Sequence, residues 1–251
     1  MDYISATIIT YNEASRISDC LESLRIGRLV DEIIVVDSGS TDNTAEICRK
    51  AGCRVVVRPF RGYGIQRQYA TSLTSNNYIL AIDADECLSD ELADTLMHIK
   101  ELGFEHRVYA MPTLEYIMGR QVHAEPAGKS PIRLFNKRYA QWNLDDVGER
   151  VTFPNSLQPE LLKGHLMHRR ARTAKELYDK ELHKSVISAR IHCSTVGKVG
   201  RATPQLKALK AFCHQYFGNK GFMDGKTGYV IAVTKARAVK NAFAMMRKQK
   251  I

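Results

Sequence analysis

The sequence has no long hydrophobic run. No stretch of its 251 residues approaches the ~18 uncharged apolar residues that a bilayer-spanning helix needs. The opening segment MDYISATIITYNEA has no basic residues ahead of its apolar run, so no signal peptide is expected. Cysteine is sparse and unpatterned. Cys20, Cys48, Cys53, Cys87, Cys193 and Cys213 show no CxxC spacing. That speaks against a disulfide framework, and the reduced thiols of a cytosolic protein are expected. Proline and glycine number only 7 and 16, and there is no internal repeat or low-complexity segment, so a collagen-like, disordered or solenoid chain is excluded. The C-terminal third lacks negative charge. Residues 163–251 hold 4 Asp and Glu against 20 Lys and Arg, a net of +16, whereas residues 1–162 hold 23 against 17, a net of −6. A mildly acidic body carrying a strongly basic end implies that one end meets an anionic surface.

The first half alternates two periodicities. Ile4–Ile9, Glu32–Val36, Cys53–Val57 and Tyr78–Ile82 are short, β-branched or apolar runs fit for buried strands. Between them lie helical patterns. One has Ile17, Leu21 and Leu24 on a face with Asn12 as its expected cap. The next has Ala45, Cys48 and Ala51, with Ser40 or Thr41 as cap. Gln66–Leu73 and a segment capped by Ser89 and running to Leu102 complete the series. This order predicts an α/β fold with a doubly wound, mostly parallel sheet. Ligands bind such sheets at the carboxyl ends of the strands. The polar residues there are Thr10-Tyr11-Asn12-Glu13, Asp37-Ser38-Gly39-Ser40 and Asp83-Ala84-Asp85. Further on, Val108–Met111, Ile132–Phe135 and Val151–Phe153 read as short strands. After Leu161 the chain reads as helical, with an apolar face Leu206, Leu209, Phe212, Cys213, Tyr216 and Phe217 and a second helix from about Thr227 to Lys248.

Asp83 and Asp85 carry the sharpest chemical signal. Two carboxylates leaving a buried strand are costly unless paired or metal-bound, and hard oxygen donors suit Mg²⁺ or Mn²⁺ completed by substrate phosphates. A solvated acidic turn is the plain alternative. Thr10 to Glu13 open a helix whose N–H groups can hold a nucleoside or phosphate, and Asp37 can accept hydrogen bonds from a base or ribose or merely cap Ser40 and Thr41. His165-x-x-His168 is too little for a structural zinc. Arg61-Gly-Tyr-Gly64 lacks the full dinucleotide glycine pattern. Cys87 reads as a buried thiol.

TIITYNEA, IIVVDSGSTDNT and the strand-terminal IDADE, in this order, resemble family 2 glycosyltransferases of the GT-A fold. Gly62-Tyr63-Gly64-Ile65-Gln66-Arg67, Pro131–Lys137, Trp142, Gly164–His168 and Gly221–Gly225 resemble the subgroup that adds glucose or a related hexose to a heptose of the lipopolysaccharide inner core. The resemblance implies that Thr10, Tyr11, Asn12, Glu13 and Asp37 bind the uridine part of a UDP-sugar, with Arg67 near the diphosphate or donor sugar. It implies that Asp83 and Asp85 hold ribose and metal, with His168 completing a Mg²⁺ or Mn²⁺ site. The subgroup's Val-His-Glu segment stands here as Val147-Gly148-Glu149, so Glu149 is the implied general base, with Asp146 and Asp145 as rivals. A single in-line displacement predicts inversion. The implied acceptor is the heptose region of lipid A–core, at the cytoplasmic face of the inner membrane. A polyprenyl phosphate, another glycan, or a non-catalytic role binding nucleotide-sugars or anionic surfaces is the alternative.

The expected organisation is a catalytic domain over 1–162 and a basic helical extension over 163–251. For the extension, a peripheral membrane-surface anchor is preferred over a solvated surface. Nucleic-acid binding is disfavoured because no recognisable motif accompanies the charge. Oligomeric state is not legible.

Overall fold

A computed structural model describes residues 3–123, 130–196 and 199–248. Its elements in chain order are β1 (Ile4–Thr10), α1 (Ile17–Arg25), β2 (Glu32–Asp37), α2 (Thr44–Lys50), β3 (Arg54–Val57), α3 (Tyr63–Ser72), β4 (Tyr78–Asp83), β5 (Glu86–Leu88), α4 (Asp90–Leu102), β6 (Val108–Ala110), β7 (Thr113–Ile117) and β8 (Arg120–Val122). They continue with β9 (Ile132–Asn136), β10 (Gln141–Trp142), β11 (Val151–Thr152), β12 (Glu160–Leu161), β13 (Leu166–Ala171), α5 (Ala174–Val196), α6 (Thr203–Cys213) and α7 (Gly225–Lys248). The chain divides into two compact units, residues 1–113 with 128–168, and residues 114–127 with 169–251.

The first unit holds a seven-stranded sheet in the order β12-β6-β9-β4-β1-β2-β3. β4, β1, β2 and β3 are parallel neighbours, as the alternating pattern predicts. The sheet is mixed rather than uniformly parallel, because β9 enters antiparallel between β4 and β6. Ile4, Ala6, Ile8, Leu80 and Ile82 of the central strands pack with Leu21 and Leu24 of α1 and with Leu92 and Leu96 of α4. On a second cluster, Ile79, Ala81, Val108 and Phe135 pack with Trp142.

Two expected caps are corrected. Asn12 does not cap α1. It adopts a left-handed backbone (φ 55°), and its N–H and carboxamide bond Ser40 Oγ and the Thr41 N–H, each at 2.8 Å. Asparagine tolerates that conformation, so here it ties the ends of β1 and β2 together, and α1 starts only at Ile17. Ser40 and Thr41 do not cap α2. The Asp42 carboxylate takes the Thr44 N–H instead, at 3.0 Å. Ser89 caps α4 by accepting the Leu92 N–H.

The boundary placed at 162/163 from charge falls inside the first unit. Residues 166–168, in a stretch expected to be helical, form the start of β13 and pair with β5. Packing, not charge, sets the division: Leu166 is buried in the main core. The second unit also takes in 114–127, where β7 and β8 form a hairpin register from Glu115↔Val122 to Ile117↔Arg120. Within it, α5 and α6 pack on α7. Ala189, Ala242, Phe243 and Met246 form one core, and Ile117, Leu177 and Ile231 another. Residues 249–251 of the expected extension lie outside the described residues.

Candidate active site

The strand register brings the three polar motifs to one edge. Thr10 is the partner of Asp37, and Ile9 that of Asp83, so the carboxyl ends of β4, β1 and β2 lie side by side. Thr10 is buried, and its hydroxyl has no hydrogen-bond partner. Asp37 is buried and accepts the Ser40 hydroxyl at 2.6 Å and the Ser40 N–H at 3.1 Å, the capping role read in the sequence. Gln66 is buried alongside, donating to Ser38 Oγ at 3.2 Å while its side-chain oxygen is unpaired. Buried polar atoms without protein partners are uncommon in folded chains, and water or a polar ligand can satisfy them. Glu13 is buried and paired with Arg16 at 2.5 Å, whereas Tyr11 is exposed.

Asp83 is the centre of a charge network. Its Oδ1 meets Arg67 Nη2 at 2.5 Å and its Oδ2 meets Arg133 Nη2 at 3.3 Å. Arg133 also holds the buried Glu86 at 2.7 Å, and Glu86 Oε2 accepts the Asp83 N–H at 2.8 Å. Burial opposes ionisation of Asp83, yet Arg67 and then Arg133 bring its carboxyl down to about 2. Burial pushes Glu86 up, with Asp83 adding to the shift and Arg133 opposing it. Arg133 in turn is held protonated by Glu86 and Asp83 against its own burial. The sequence motifs assigned no role to Arg133 or Glu86. The available signal was an arginine inside the apolar strand Ile132–Phe135, since a buried guanidinium requires a carboxylate partner.

Asp85 and His168 come together. β13 pairs antiparallel with β5, with His168 opposite Glu86, and this sets His168 Nε2 3.4 Å from Asp85 Oδ1. Both side chains are mostly buried. A carboxylate and an imidazole at this separation fit two ligands of Mg²⁺ or Mn²⁺, the other positions being left to phosphate and water. Asp83, the other expected metal ligand, has one oxygen on Arg67 and the other on Arg133. Among the described residues no cluster of three or more His, Cys, Asp or Glu side chains is arranged to hold a metal.

The candidate bases separate as clearly. Glu149 is half-buried, 3.4 Å from Arg67 Nε, so one guanidinium touches both Glu149 and Asp83. Arg67 itself is buried, with its guanidinium 4.9 Å over the Trp142 ring. Asp145 and Asp146 are exposed, and their backbone carbonyls accept the N–H groups of Gly64 (3.0 Å) and Tyr63 (3.2 Å) at the start of α3. This explains the two glycines. A Cβ on Gly64 would lie 2.9 Å from the Asp145 carbonyl oxygen and closer still to that of Asn143, and one on Gly62 would lie 3.2 Å from Asp146 Cα. The loop carrying Glu149 therefore rests directly on the backbone of the glycine-tyrosine-glycine turn. Tyr63, between them, has its hydroxyl pushed up to about 12 by burial and by Glu149 and Asp83.

Comparison with known proteins gives the family. Residues 5–153 match the family model described as glycosyl transferase family 2. An uncharacterized glycosyltransferase of Rickettsia felis is 42% identical over 57% of this chain and 50% of its own length, so the matched chain spans about half of that relative. The lipopolysaccharide core biosynthesis glycosyltransferase LpsC of Rhizobium meliloti is 28% identical over 99% of this chain and 96% of that protein. Among solved structures, glucosyl-3-phosphoglycerate synthase of Mycobacterium tuberculosis, crystallised with Mn²⁺ and UDP-glucose, is 28% identical over 46% of this chain and 44% of that one, with a TM-score of 0.36. The matched family segment takes up more than half of the chain and contains the aligned ends of β1, β2 and β4 together with Glu149. This α/β chain, with its carboxylates gathered at those strand ends, belongs to glycosyl transferase family 2.

Proposed function

We propose that the protein is an inverting, divalent-cation-dependent hexosyltransferase. It moves a hexose, glucose in preference, from a UDP-sugar to the heptose region of lipid A–core. The observation that carries this reading is the set of side chains around Asp83: a carboxylate fixed by two arginines, an Asp85–His168 pair beside it and Glu149 held on the same Arg67. Similarity to LpsC over nearly the whole length supports the choice of acceptor.

In this reading Thr10 and Asp37 take the uridine, and Asp83 accepts from the ribose. Asp85 and His168 would hold Mg²⁺ or Mn²⁺, which when bound neutralises charge on the departing diphosphate. Glu149 takes the proton of the acceptor hydroxyl as it attacks the anomeric carbon, and Arg67 keeps that carboxylate in place. Displacement from the opposite face inverts the centre, giving a β-linkage from a UDP-α-hexose. The acceptor places the protein at the cytoplasmic face of the inner membrane. A panel of nucleotide sugars with Mn²⁺ and core-truncated lipopolysaccharide, read by mass of the product, tests the reading. A mass increase of one hexose from a UDP-hexose supports it. No transfer from any UDP-sugar would remove it.

A further inference from the structure

The C-terminal unit leaves uncovered the apolar side chains that helical proteins ordinarily bury. Leu206, Leu209, Cys213 and Phe217 recur at helical spacing along α6 and the π-helical turn His214–Gly218, and all four are exposed. Phe222, Met223 and Tyr229 are exposed as well; these three with Leu206, Leu209 and Phe217 are each more than half accessible. The aromatic part is contiguous. The Tyr216 ring lies 5.4 Å from Phe212, 5.2 Å from Phe217, 6.5 Å from Phe222 and 6.1 Å from Tyr229.

Phe222 and Met223 are held outward by a braced turn. On one side Gly221 is buried, with its carbonyl carbon only 2.8 Å from where a Cβ of Gly228 would stand. On the other side the Asp224 carboxylate accepts the His123 N–H at 2.9 Å and lies 3.0 Å from the His123 ring. A turn fixed at both ends that presents two large apolar side chains to water carries a solvation cost. Contiguous exposed apolar patches of this kind mark interaction surfaces.

Charge selects the occupant. Residues 203–248 hold nine Lys and Arg and a single acidic residue, Asp224, which is engaged with His123. Lys210, Lys220 and Lys226 are exposed among the apolar residues. Apolar side chains rimmed by cations, with aromatic rings between, match the boundary between acyl chains and anionic headgroups. No described helix is long and apolar enough to cross a membrane, and shallow docking needs none.

We propose that this patch docks on an anionic lipid bilayer, with Phe217, Phe222 and Met223 at the acyl boundary and Lys210, Lys220 and Lys226 at headgroup level. This deepens the lipid-linked acceptor reading above by naming the surface. Its test uses neither sugar donor nor acceptor, so the two fail separately. The full chain is sedimented with phosphatidylethanolamine–phosphatidylglycerol vesicles, with phosphatidylcholine vesicles as control. Binding to the anionic vesicles alone, falling as salt rises, is expected. The F222D/M223D double variant weakens partitioning by about tenfold or more, with an unchanged unfolding temperature. Independently, Phe222→Trp emission shifts to the blue when anionic vesicles are added, over a background from Trp142, which is buried in the other unit. Vesicle binding unaltered in F222D/M223D, or no blue shift, overturns the proposal. So does lipid-free self-association of the wild type that F222D/M223D abolishes, because a second copy would then be the occupant.

Discussion

Removing Arg133 is the sharpest test of the charge network at the end of β4. Arg133→Leu takes the partner from Glu86, which is buried, and one of two partners from Asp83. Stripping one member from a buried ion pair costs ~3–5 kcal/mol, because the remaining charge is left in a poorly solvated site. Asp83 shows the direction of what the two arginines supply: against burial, which favours the protonated acid, Arg67 and Arg133 bring its carboxyl from 3.8 down to about 2. Glu86 sets the pH dependence. Its carboxyl is raised by burial even with Arg133 present. An acid with a raised value in the folded state binds protons more tightly folded than unfolded, so its ionisation lowers stability as pH rises. The deficit of Arg133→Leu should therefore shrink as pH is lowered from about 8 to about 5. Adding Glu86→Gln removes the stranded charge while its amide oxygen still accepts the Asp83 N–H, and should return about 2 kcal/mol. Urea unfolding, with the midpoint compared at constant slope, measures each step. A cost below about 1 kcal/mol for Arg133→Leu would refute the assignment, since surface substitutions cost that little. A deficit independent of pH, or no recovery with Glu86→Gln, would refute it as well.

Asp85→Asn and His168→Ala should each lower transfer about a hundredfold or more and weaken binding of Mn²⁺ measured calorimetrically; unaltered metal affinity in both would move the metal elsewhere. Glu149→Gln should reduce kcat about 10²–10⁴-fold, whereas Asp146→Asn stays near wild type; the reverse ranking in steady-state kinetics would transfer the base to Asp146. Gly64→Ala gains about 1 kcal/mol of helix propensity but drives a Cβ into the carbonyls of Asn143 and Asp145. It should cut kcat about a hundredfold by displacing the Glu149 loop, and wild-type turnover would show that the loop does not depend on this contact. In acid, Asp83 contributes stability that is present above the unfolded value near 3.8 and lost as pH falls toward about 2; thermal melts of Asp83→Asn and wild type should converge over that window.

Much of the first unit was legible because its signals are local. Four apolar runs ending in polar residues gave β1 to β4, and parallel neighbours followed from the helices between them. The short strands β5, β7, β8, β10, β12 and β13 were not foreseen, since each mixes polar residues into its few positions and none forms a continuous apolar run. The caps at Asn12 and Ser40 were misread for a related reason. Both residues bond across to a neighbouring loop or strand end, a use that competes with capping and that sequence order does not reveal. The apolar face from Leu206 to Phe217 was read correctly as a stripe, but its exposure depends on what α7 leaves uncovered.

The amino-acid order alone determined where the carboxylates stand. A buried strand followed by Asp83-Ala84-Asp85 places charge at a strand end because apolar residues are driven out of water and a carboxylate is buried only where a partner is supplied. What each carboxylate touches was decided only by tertiary structure. Antiparallel pairing across 80 residues sets His168 beside Asp85, and pairing of β9 with β4 carries Arg133 to Asp83 and Glu86. The glycine turn at 62–64 seats the loop that brings Glu149 to Arg67. These contacts join residues distant in sequence through strand pairing and close backbone packing, and which strands become neighbours is settled only when the whole sheet assembles.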